Sequence, residues 1–434
     1  MRTALLTCLS SLALAACGST PPPTQITGTT AGSGTTTGAS GTGASASGSG
    51  TGAESGTNNG STGTSGGSGS GGGTSSGTTT GPGVEAGTLW IGGAYVDGAT
   101  ASAAFSPEVL AKSATNPAFT YTCPAVATLA HPAEGGAEVI DSQGQLWTQF
   151  FSSAPSNTIS MWTPSQLAAD CNSRHATVTL GISQQNISNM AFDQSGNLWA
   201  SAPAANEILG FGANSLQTSA NIGLTYLLTQ SAKGGASSLF NPAGLAFDTI
   251  GTLWVANYYS ILAYHTATLE QALTQGGNPL VPPDLVLTNA QAANVESDGG
   301  LYNQFVYQYL AFDGSGNLWV TVQNYQSGPV TSQIIEFSAS QLSKLATNNQ
   351  PTPIFTINQP SDQGSSFLGW SAIAFDKQGN LWAGAHLAAP NLYRYPAATL
   401  TGSGTPDTMI TAQGDTDMSL NFSLAFDPST LPRP

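Results

Sequence analysis

The sequence predicts an all-β fold, a six-bladed β-propeller of four-stranded antiparallel blades, and three repeated features lead to this prediction. A Leu-Trp pair recurs six times, at spacings of 52 to 65 residues. An Asp-x-x-Gly turn precedes five of the six pairs, and an aromatic residue with Leu five positions later follows every pair. Repeats of this length that hold four short strands are typical of propeller blades, whereas solenoid repeats are shorter and have parallel strands.

Each repeated feature occupies a defined set of positions. The tryptophans of the Leu-Trp pairs are Trp90, Trp147, Trp199, Trp254, Trp319 and Trp382. The turns begin at Asp141, Asp193, Asp248, Asp313 and Asp376. The aromatic residues and their leucines are Phe105 and Leu110, Trp162 and Leu167, Phe211 and Leu216, Tyr264 and Leu269, Phe337 and Leu342, and Tyr395 and Leu400.

The Asp-x-x-Gly turn predicts the inner hairpin of each blade. In LAFDGSGNLWV, residues 310–320, two apolar runs flank the turn. The Asp side chain can accept hydrogen bonds from the backbone that follows it, and Gly adopts positive φ at little cost, so the segment is expected to form a tight β-hairpin. A third strand then ends in the aromatic residue, a short helical turn carries the Leu, and a fourth strand such as DLVLT, residues 284–288, completes the blade.

The two ends of the repeat region are expected to close the ring. The first Leu-Trp pair, at Trp90, lacks an upstream Asp turn, and the chain ends on FSLAFDPS, residues 422–429, which contains Asp427 but no Leu-Trp pair. Each end therefore supplies half of a hairpin. We expect them to pair in one blade, because closure by both termini removes the exposed strand edges of an open sheet.

The N-terminus carries a predicted export signal, residues 1–16. It has one basic residue, Arg2, and then an apolar stretch too short to span a bilayer. Leu14-Ala15-Ala16-Cys17 resembles the lipobox of bacterial lipoproteins, which implies lipidation of Cys17; an ordinary secretory signal that contains a cysteine is the alternative. In a Gram-negative lipoprotein, Gly18 in place of Asp after the lipidated cysteine implies that the protein is exported to the outer membrane. Whether the protein is periplasmic or surface-exposed stays open.

Residues 17–86 predict a tether between this lipid anchor and the propeller, residues 87–434. The segment is nearly all Gly, Ser, Thr and Ala and cannot bury a core, so we expect it to be disordered. The whole chain has only 8 Lys and Arg against 23 Asp and Glu. This balance excludes nucleic-acid binding and direct binding to an anionic membrane. Membrane contact is therefore expected only through the anchor. The protein is also expected to be a monomer.

The inner hairpin also resembles known repeats. FNPAGLAFDTIGTLWVAN, residues 240–257, is similar to the NHL-type repeat and to streptogramin-lyase-like six-bladed propellers. These families include protein-binding modules, lactonases and lyases, so the resemblance implies an architecture rather than one activity. A lactonase- or lyase-type enzyme with its site at the channel mouth therefore remains an alternative.

The acidic residues predict no catalytic or metal site. Enzymatic members of the resembling families depend on acids, amides or histidine that converge on a metal, but no acid ends a Trp strand here. One carboxylate with scattered amides is a weak site for a divalent cation, which prefers several oxygen ligands. The candidates are Glu138, Asn189, Asn241, Asn257 and Asn421. We therefore expect no metal, no cofactor and no catalytic residue, with His386 as an isolated, solvated side chain.

The variable loops opposite the hairpins predict a ligand-binding face, since functional variation belongs on the loops of a rigid scaffold. Flat rings and amides suit a protein, peptide or glycan ligand. The candidate residues are Asn257, Tyr258, Tyr259, Tyr307, Tyr309, Tyr325, Trp370 and His386. Packing between blades is the alternative for any one of them. The sequence thus favours an exported, lipid-anchored propeller that acts as a binding or scaffold module, with an enzyme or a purely structural envelope protein as alternatives.

A disulfide between Cys123 and Cys171 stays open. Both remain after loss of the signal and lipidation of Cys17, and an oxidising compartment favours a bond. The expected register places them at opposite ends of their strands, about 16 Å apart for a five-residue strand. A disulfide requires Cα atoms within about 7 Å.

Overall fold

A computed structural model of the 434-residue chain describes the greater part of the region after residue 87. The described residues are 88–96, 99–105, 110, 135–150, 157–168, 176–182, 187–221, 226–229, 238–275, 281–288, 305–324, 331–345, 348–349, 351–358, 367–387, 391–402, 404–411 and 416–426. Cys17, Cys123, Cys171 and the predicted signal and tether lie outside them. Among the described residues no helix has the length and apolar character needed to cross a membrane.

Most of the described residues lie in β-strands. The strands, in chain order, are β1 Leu89–Val96, β2 Ala99–Phe105, β3 Gly135–Ile140, β4 Leu146–Phe150, β5 Asn157–Trp162, β6 Val178–Ile182, β7 Asn189–Phe192, β8 Leu198–Ala202, β9 Glu207–Phe211, β10 Ala220–Asn221, β11 Tyr226–Thr229, β12 Pro242–Phe247, β13 Leu253–Asn257, β14 Ser260–Tyr264, β15 Leu285–Leu287, β16 Phe305–Phe312, β17 Leu318–Asn324, β18 Thr331–Phe337, β19 Asn348–Asn349, β20 Phe355–Asn358, β21 Phe367–Phe375, β22 Leu381–Leu387, β23 Asn391–Tyr395, β24 Thr408–Thr411 and β25 Thr416–Phe426. Three short helices follow third strands: α1 Pro164–Ala168, α2 Thr266–Gln275 and α3 Ala339–Leu342.

These strands form six sheets within the described residues. The closing sheet has the order β2-β1-β25, and the second to sixth sheets are β3-β4-β5-β6-β10, β7-β8-β9-β11, β12-β13-β14-β15-β19, β16-β17-β18-β20 and β21-β22-β23-β24. The second to sixth sheets each contain the predicted unit of four antiparallel strands, so the all-β propeller prediction is confirmed. The closing sheet has three strands among the described residues. The segment predicted to form its outer strand, which contains Cys123, lies outside them.

The innermost strands of the six sheets contact one another in a closed ring. Contacts run from β3 to β7, β12, β16, β21 and β25 in turn, and β25 contacts β3 again. Within the closing sheet β1 pairs with β25 in antiparallel register, with Leu89 opposite Phe426 and Trp90 opposite Ala425. The predicted pairing of the two ends of the propeller region is therefore confirmed.

The hairpin aspartates act as turn formers, as predicted. Asp313 Oδ1 accepts hydrogen bonds from the backbone N–H groups of Ser315 at 2.8 Å and Asn317 at 3.0 Å. Its second oxygen, Oδ2, accepts a bond from Trp319 Nε1 at 3.0 Å. Equivalent bonds are made by Asp141, Asp193, Asp248 and Asp376. The turn and the Trp are thus one hydrogen-bonded unit.

An asparagine links the hairpin to the helical turn in three of the sheets. Asn317 Nδ2 donates to Asp313 Oδ2 at 2.8 Å, while Asn317 Oδ1 accepts from the backbone of Ala339 at 2.9 Å, at the start of α3. Asn197 and Asn380 make the same two contacts. Because this bond satisfies an N–H group at the helix N-terminus, the short helix is tied to its own sheet.

Neighbouring sheets are joined by edge-to-face or tilted aromatic pairs. Five of the six tryptophans of the Leu-Trp pairs pack against the Phe that precedes the hairpin turn of the next sheet, with ring centroids 5.7 to 6.5 Å apart. The pairs are Trp147 and Phe192, Trp199 and Phe247, Trp254 and Phe312, Trp319 and Phe375, and Trp382 and Phe426. Each such pair contributes about 0.5–1.5 kcal/mol beyond its burial.

A buried carboxyl on the hairpin side of the fifth sheet makes stability depend on pH. Burial, and then the charge of Asp313, raise the pKa of Glu336 from 4.5 to about 7. The unfolded chain therefore loses this proton at lower pH than the folded chain, and stability falls as pH rises from 4.5 to about 7. We expect Glu336→Gln to remove that fall, which urea unfolding at pH 4.5, 6 and 8 would measure. An unchanged slope in the variant would contradict the assignment.

Candidate functional site

Three aromatic rings form a cluster at the end of the fourth sheet that lies away from its hairpin. Phe240 and Tyr259 are stacked, with centroids 5.4 Å apart and ring planes 11° apart. Tyr258 stands edge-on to both, 5.7 Å from Phe240 and 4.6 Å from Tyr259. Phe240 is 40% exposed and the two tyrosines are half-buried. We call these three residues the aromatic cluster.

Hydrogen bonds of the Asn257 side chain hold the aromatic cluster in place. Its side chain is buried, with Oδ1 accepting from the backbone N–H of Phe240 at 2.6 Å. Its Nδ2 donates to the backbone oxygen of Ser238 at 2.9 Å and to Ser260 Oγ at 3.0 Å. The Asn257 side chain thus holds the segment that carries Phe240 against the turn between β13 and β14, which carries Tyr258 and Tyr259. Asn257 supports the surface and does not line it.

The backbone at Tyr258 is constrained as well. Tyr258 adopts φ 45°, a left-handed conformation that is uncommon for a non-glycine residue and costs about 1–3 kcal/mol. Its carbonyl accepts a hydrogen bond from the backbone N–H of Tyr307 at 2.8 Å, which bridges the fourth and fifth sheets. Burial raises the pKa of the Tyr258 phenol. The cluster therefore sits on a rigid junction between two sheets.

Two other predicted ligand residues lie in the core. Tyr307 is 2% exposed and packs between the fourth and fifth sheets. Trp370 is 1% exposed and packs edge-to-face on Tyr393 and Tyr395. Their positions provide packing between and within sheets, the alternative that the sequence left open for each candidate.

Tyr309, on the fifth sheet, reaches a residue beside the third sheet. It is half-buried on β16, and its hydroxyl is hydrogen-bonded to Ser188, next to the third sheet. Burial raises the pKa of the Tyr309 phenol, and the bond from Ser188 opposes that effect. Gly244 on β12 approaches the backbone of β16 so closely that a Cβ at this glycine would lie 2.7 Å from Tyr309 Cα. Glycine is required for this approach of β12 to β16.

The remaining predicted residues are only partly placed. Tyr325 lies outside the described residues. His386 is in β22, opposite Gly369 in the register. Phe240 was missed by the sequence interpretation. The available signal was its position directly before β12, at the same end of the sheet as Tyr258.

The acidic residues do not gather. Among the residues that the structure describes, no three His, Cys, Asp or Glu side chains are placed to hold one metal ion. Glu138, the carboxylate expected near the channel, is buried on the inner strand β3. Neither of its oxygens has a hydrogen-bond partner among the described residues, and burial raises its pKa well above the usual value.

Comparison with known proteins gives no family. No protein-family model matches the chain, and no curated protein matches it with significance. Solved structures that are similar include virginiamycin B lyase from Staphylococcus aureus, with 11% identity, a TM-score of 0.34, and coverage of 64% of this chain and 69% of that chain. The extracellular domain of a proposed one-component system from B. thetaiotaomicron has 15% identity and a TM-score of 0.37, covering 65% and 31%.

A third similar structure is the WD40 β-propeller domain of Doa1, with 11% identity and a TM-score of 0.36, covering 65% of this chain and 70% of that domain. The fold assignment rests on the six sheets and on the ring of their innermost strands.

Proposed function

We propose that this protein is an exported, lipid-anchored β-propeller that acts as a monomeric binding module for an envelope or extracellular protein, peptide or glycan. The closing sheet serves in this proposal as the sixth blade. The aromatic cluster is the observation that carries the proposal, because it is partly exposed and rigidly held at the loop end of the fourth sheet.

The physical support is the preorganisation of the cluster. Flat aromatic faces give a large contact area for sugar rings or apolar peptide side chains, and few rotatable bonds must be ordered on binding. The Asn257 hydrogen bonds and the Tyr258 to Tyr307 bridge fix the three rings before any ligand arrives. Prior ordering of this kind increases affinity by reducing the entropy lost on association.

Removing both tyrosines is expected to weaken binding without unfolding the ring. The full chain is first screened against immobilised oligosaccharides and peptides, and the best binder is then titrated against Tyr258→Ala with Tyr259→Ala. Loss of a central aromatic contact costs about 2 kcal/mol or more. That cost corresponds to roughly a thirtyfold rise in Kd.

The matched control is a surface change at a hairpin. Lys377 lies in the turn of the sixth sheet, and Lys377→Ala is expected to leave Kd unchanged. Thermal unfolding of each variant separates loss of binding from loss of fold. Normal binding by the tyrosine variant, or an equal loss in the Lys377 variant, would show that the aromatic cluster is not the ligand site.

A further inference from the structure

The pair formed by Glu138 and Thr148 departs from the pattern of every other sheet. Glu138 on β3 lies directly opposite Thr148 on β4. In the other five sheets, the equivalent pair of residues is apolar. Its inner-strand member lies three residues before the Asp that follows the strand. These pairs are Met190 and Ala200, Leu245 and Val255, Leu310 and Val320, Ile373 and Ala383, and Leu424 and Ile91. A polar pair here is therefore not required by the fold.

The pair presents three buried acceptor oxygens. Glu138 is 4% exposed and Thr148 is 1% exposed. Glu138 Oε1, Glu138 Oε2 and Thr148 Oγ1 have no hydrogen-bond partner among the described residues. Burial of a carboxylate without a partner costs much more than burial of a hydrogen-bonded one, and no described residue donates a hydrogen bond to these oxygens.

The Glu138 side chain adjoins the closing sheet. A Cβ at Gly92 on β1 would lie 2.7 Å from Glu138 Cγ and 2.9 Å from Glu138 Cδ. Ser423 on β25 is on the other side of the same point, since that Cβ would be 2.5 Å from Ser423 Oγ. The carboxyl group therefore lies between the second sheet and the closing sheet, over a glycine that leaves room for it.

The described part of the chain supplies no cation to this position. The strands packed against β3 are β1, β2, β4, β7 and β25, and none contains Lys or Arg. Their titratable residues are Tyr95 on β1 and Asp417 on β25. The described cations lie elsewhere. Lys344 is just after α3, and Lys377 is in the hairpin turn of the sixth sheet. Arg394, on the sixth sheet, forms an ion pair with Asp407.

We propose that Glu138 and Thr148 bind the primary ammonium group of a small amine ligand. An ammonium group has three N–H donors and no acceptor, which matches three acceptor oxygens, two of them on a carboxyl group. A divalent cation is a poorer match, because it requires more oxygen ligands and more charge than one carboxylate supplies. The site is separate from the aromatic cluster and does not depend on it.

Binding at this site is coupled to proton release. Burial raises the pKa of Glu138 well above its usual value, so the empty site holds its proton more tightly than an exposed carboxyl group does. A bound ammonium favours the carboxylate and lowers that pKa again, so its arrival releases the carboxyl proton to solvent at a pH between the two pKa values. Amine binding should therefore release protons, which calorimetry in two buffers of different ionisation enthalpy measures directly.

The test uses the full chain with methylammonium and butylammonium as probes. Both are expected to raise the Tm with increasing concentration, whereas tetramethylammonium, which has the same charge but no N–H donor, is expected to have no effect at equal ionic strength. Failure of the primary amines to stabilise the protein would overturn the proposal and leave Glu138 as a buried acid without a ligand.

The decisive variant restores the apolar pair of the other sheets. Glu138→Leu with Thr148→Val is expected to fold, to lose the amine-dependent rise in Tm and to lose proton release. Glu138→Gln, which keeps the shape without the charge, is expected to weaken binding at least tenfold. Glu336→Gln, a change at another buried carboxyl, is the matched control and should retain the full response. An amine response that survives in the Leu and Val variant would overturn the proposal.

Discussion

Deletion of residues 421–434 is expected to lower the free energy of unfolding by more than any single core substitution. The deletion removes Ser423, Ala425 and Phe426, which are buried, and most of the antiparallel ladder between β25 and β1. Replacing one buried Phe by Ala already costs about 3–5 kcal/mol. The deletion also exposes the paired edge of β1 and removes the contacts of β25 with β3 and β21. We therefore expect a large fall in Tm and increased aggregation, measured by calorimetry and light scattering.

Two controls distinguish loss of closure from loss of chain length. Deletion of residues 20–80, in the predicted tether, is expected to leave the Tm almost unchanged. Asp427→Ala is expected to have an intermediate effect. The tryptophans of the other five Leu-Trp pairs each donate to a hairpin Asp. Trp90 Nε1 has no partner among the described residues, and the repeat predicts that Asp427, which lies outside them, accepts this bond. Equal melting of the full-length and C-terminally trimmed chains would contradict closure by both ends.

Replacement of Cys17 by Ala is expected to move the protein from the membrane fraction to the soluble exported fraction. The Leu-Ala-Ala-Cys segment predicts acylation at this position, and each buried CH₂ of an acyl chain contributes about 0.8 kcal/mol to membrane binding. The described residues contain no membrane-spanning helix and few basic side chains to replace that anchor. Cell fractionation followed by immunoblotting measures the shift.

The matched control is the other cysteine of the signal. Cys8→Ala changes the same residue type within the apolar stretch, and it should leave both export and membrane association intact. If the Cys17 variant still sediments with membranes like the wild type, the lipoprotein prediction is wrong.

The sequence predicted the hairpins well because their determinants are local. Asp313, Gly316 and Trp319 lie within seven residues, and the side-chain bonds that fix the turn act over that distance. Closure was predicted from Leu89 and Phe426 because each end lacked half of a hairpin. The two-residue strands β10 and β19 were not predicted. Each pairs in parallel with the fourth strand of the preceding sheet. This pairing depends on how far the loop that contains the short strand extends back toward that sheet.

The candidate site was predicted less well because bulges decide which way side chains face. A shift in register lies between Tyr307 and Leu310 on β16, and another between Trp370 and Ala372 on β21. One inserted residue reverses the face of every side chain beyond it, so a pattern of alternation cannot place these rings. Tyr258 and Tyr259 were predicted as ligand residues. The contact of Phe240 with them depends on Asn257, whose role as an internal brace has no local signature.

The hydrogen bond between each hairpin Asp and its own Trp has a consequence for the order in which the molecule folds. These contacts span six positions along the chain, so each hairpin can form early and independently, at the low entropic cost of a short loop. The pairing of β1 with β25 joins the two ends of the propeller region and closes the longest loop in the molecule. Local contacts form fast and distant ones slowly. We therefore expect the closing sheet to assemble last, and substitutions there to act mainly on the rate of unfolding.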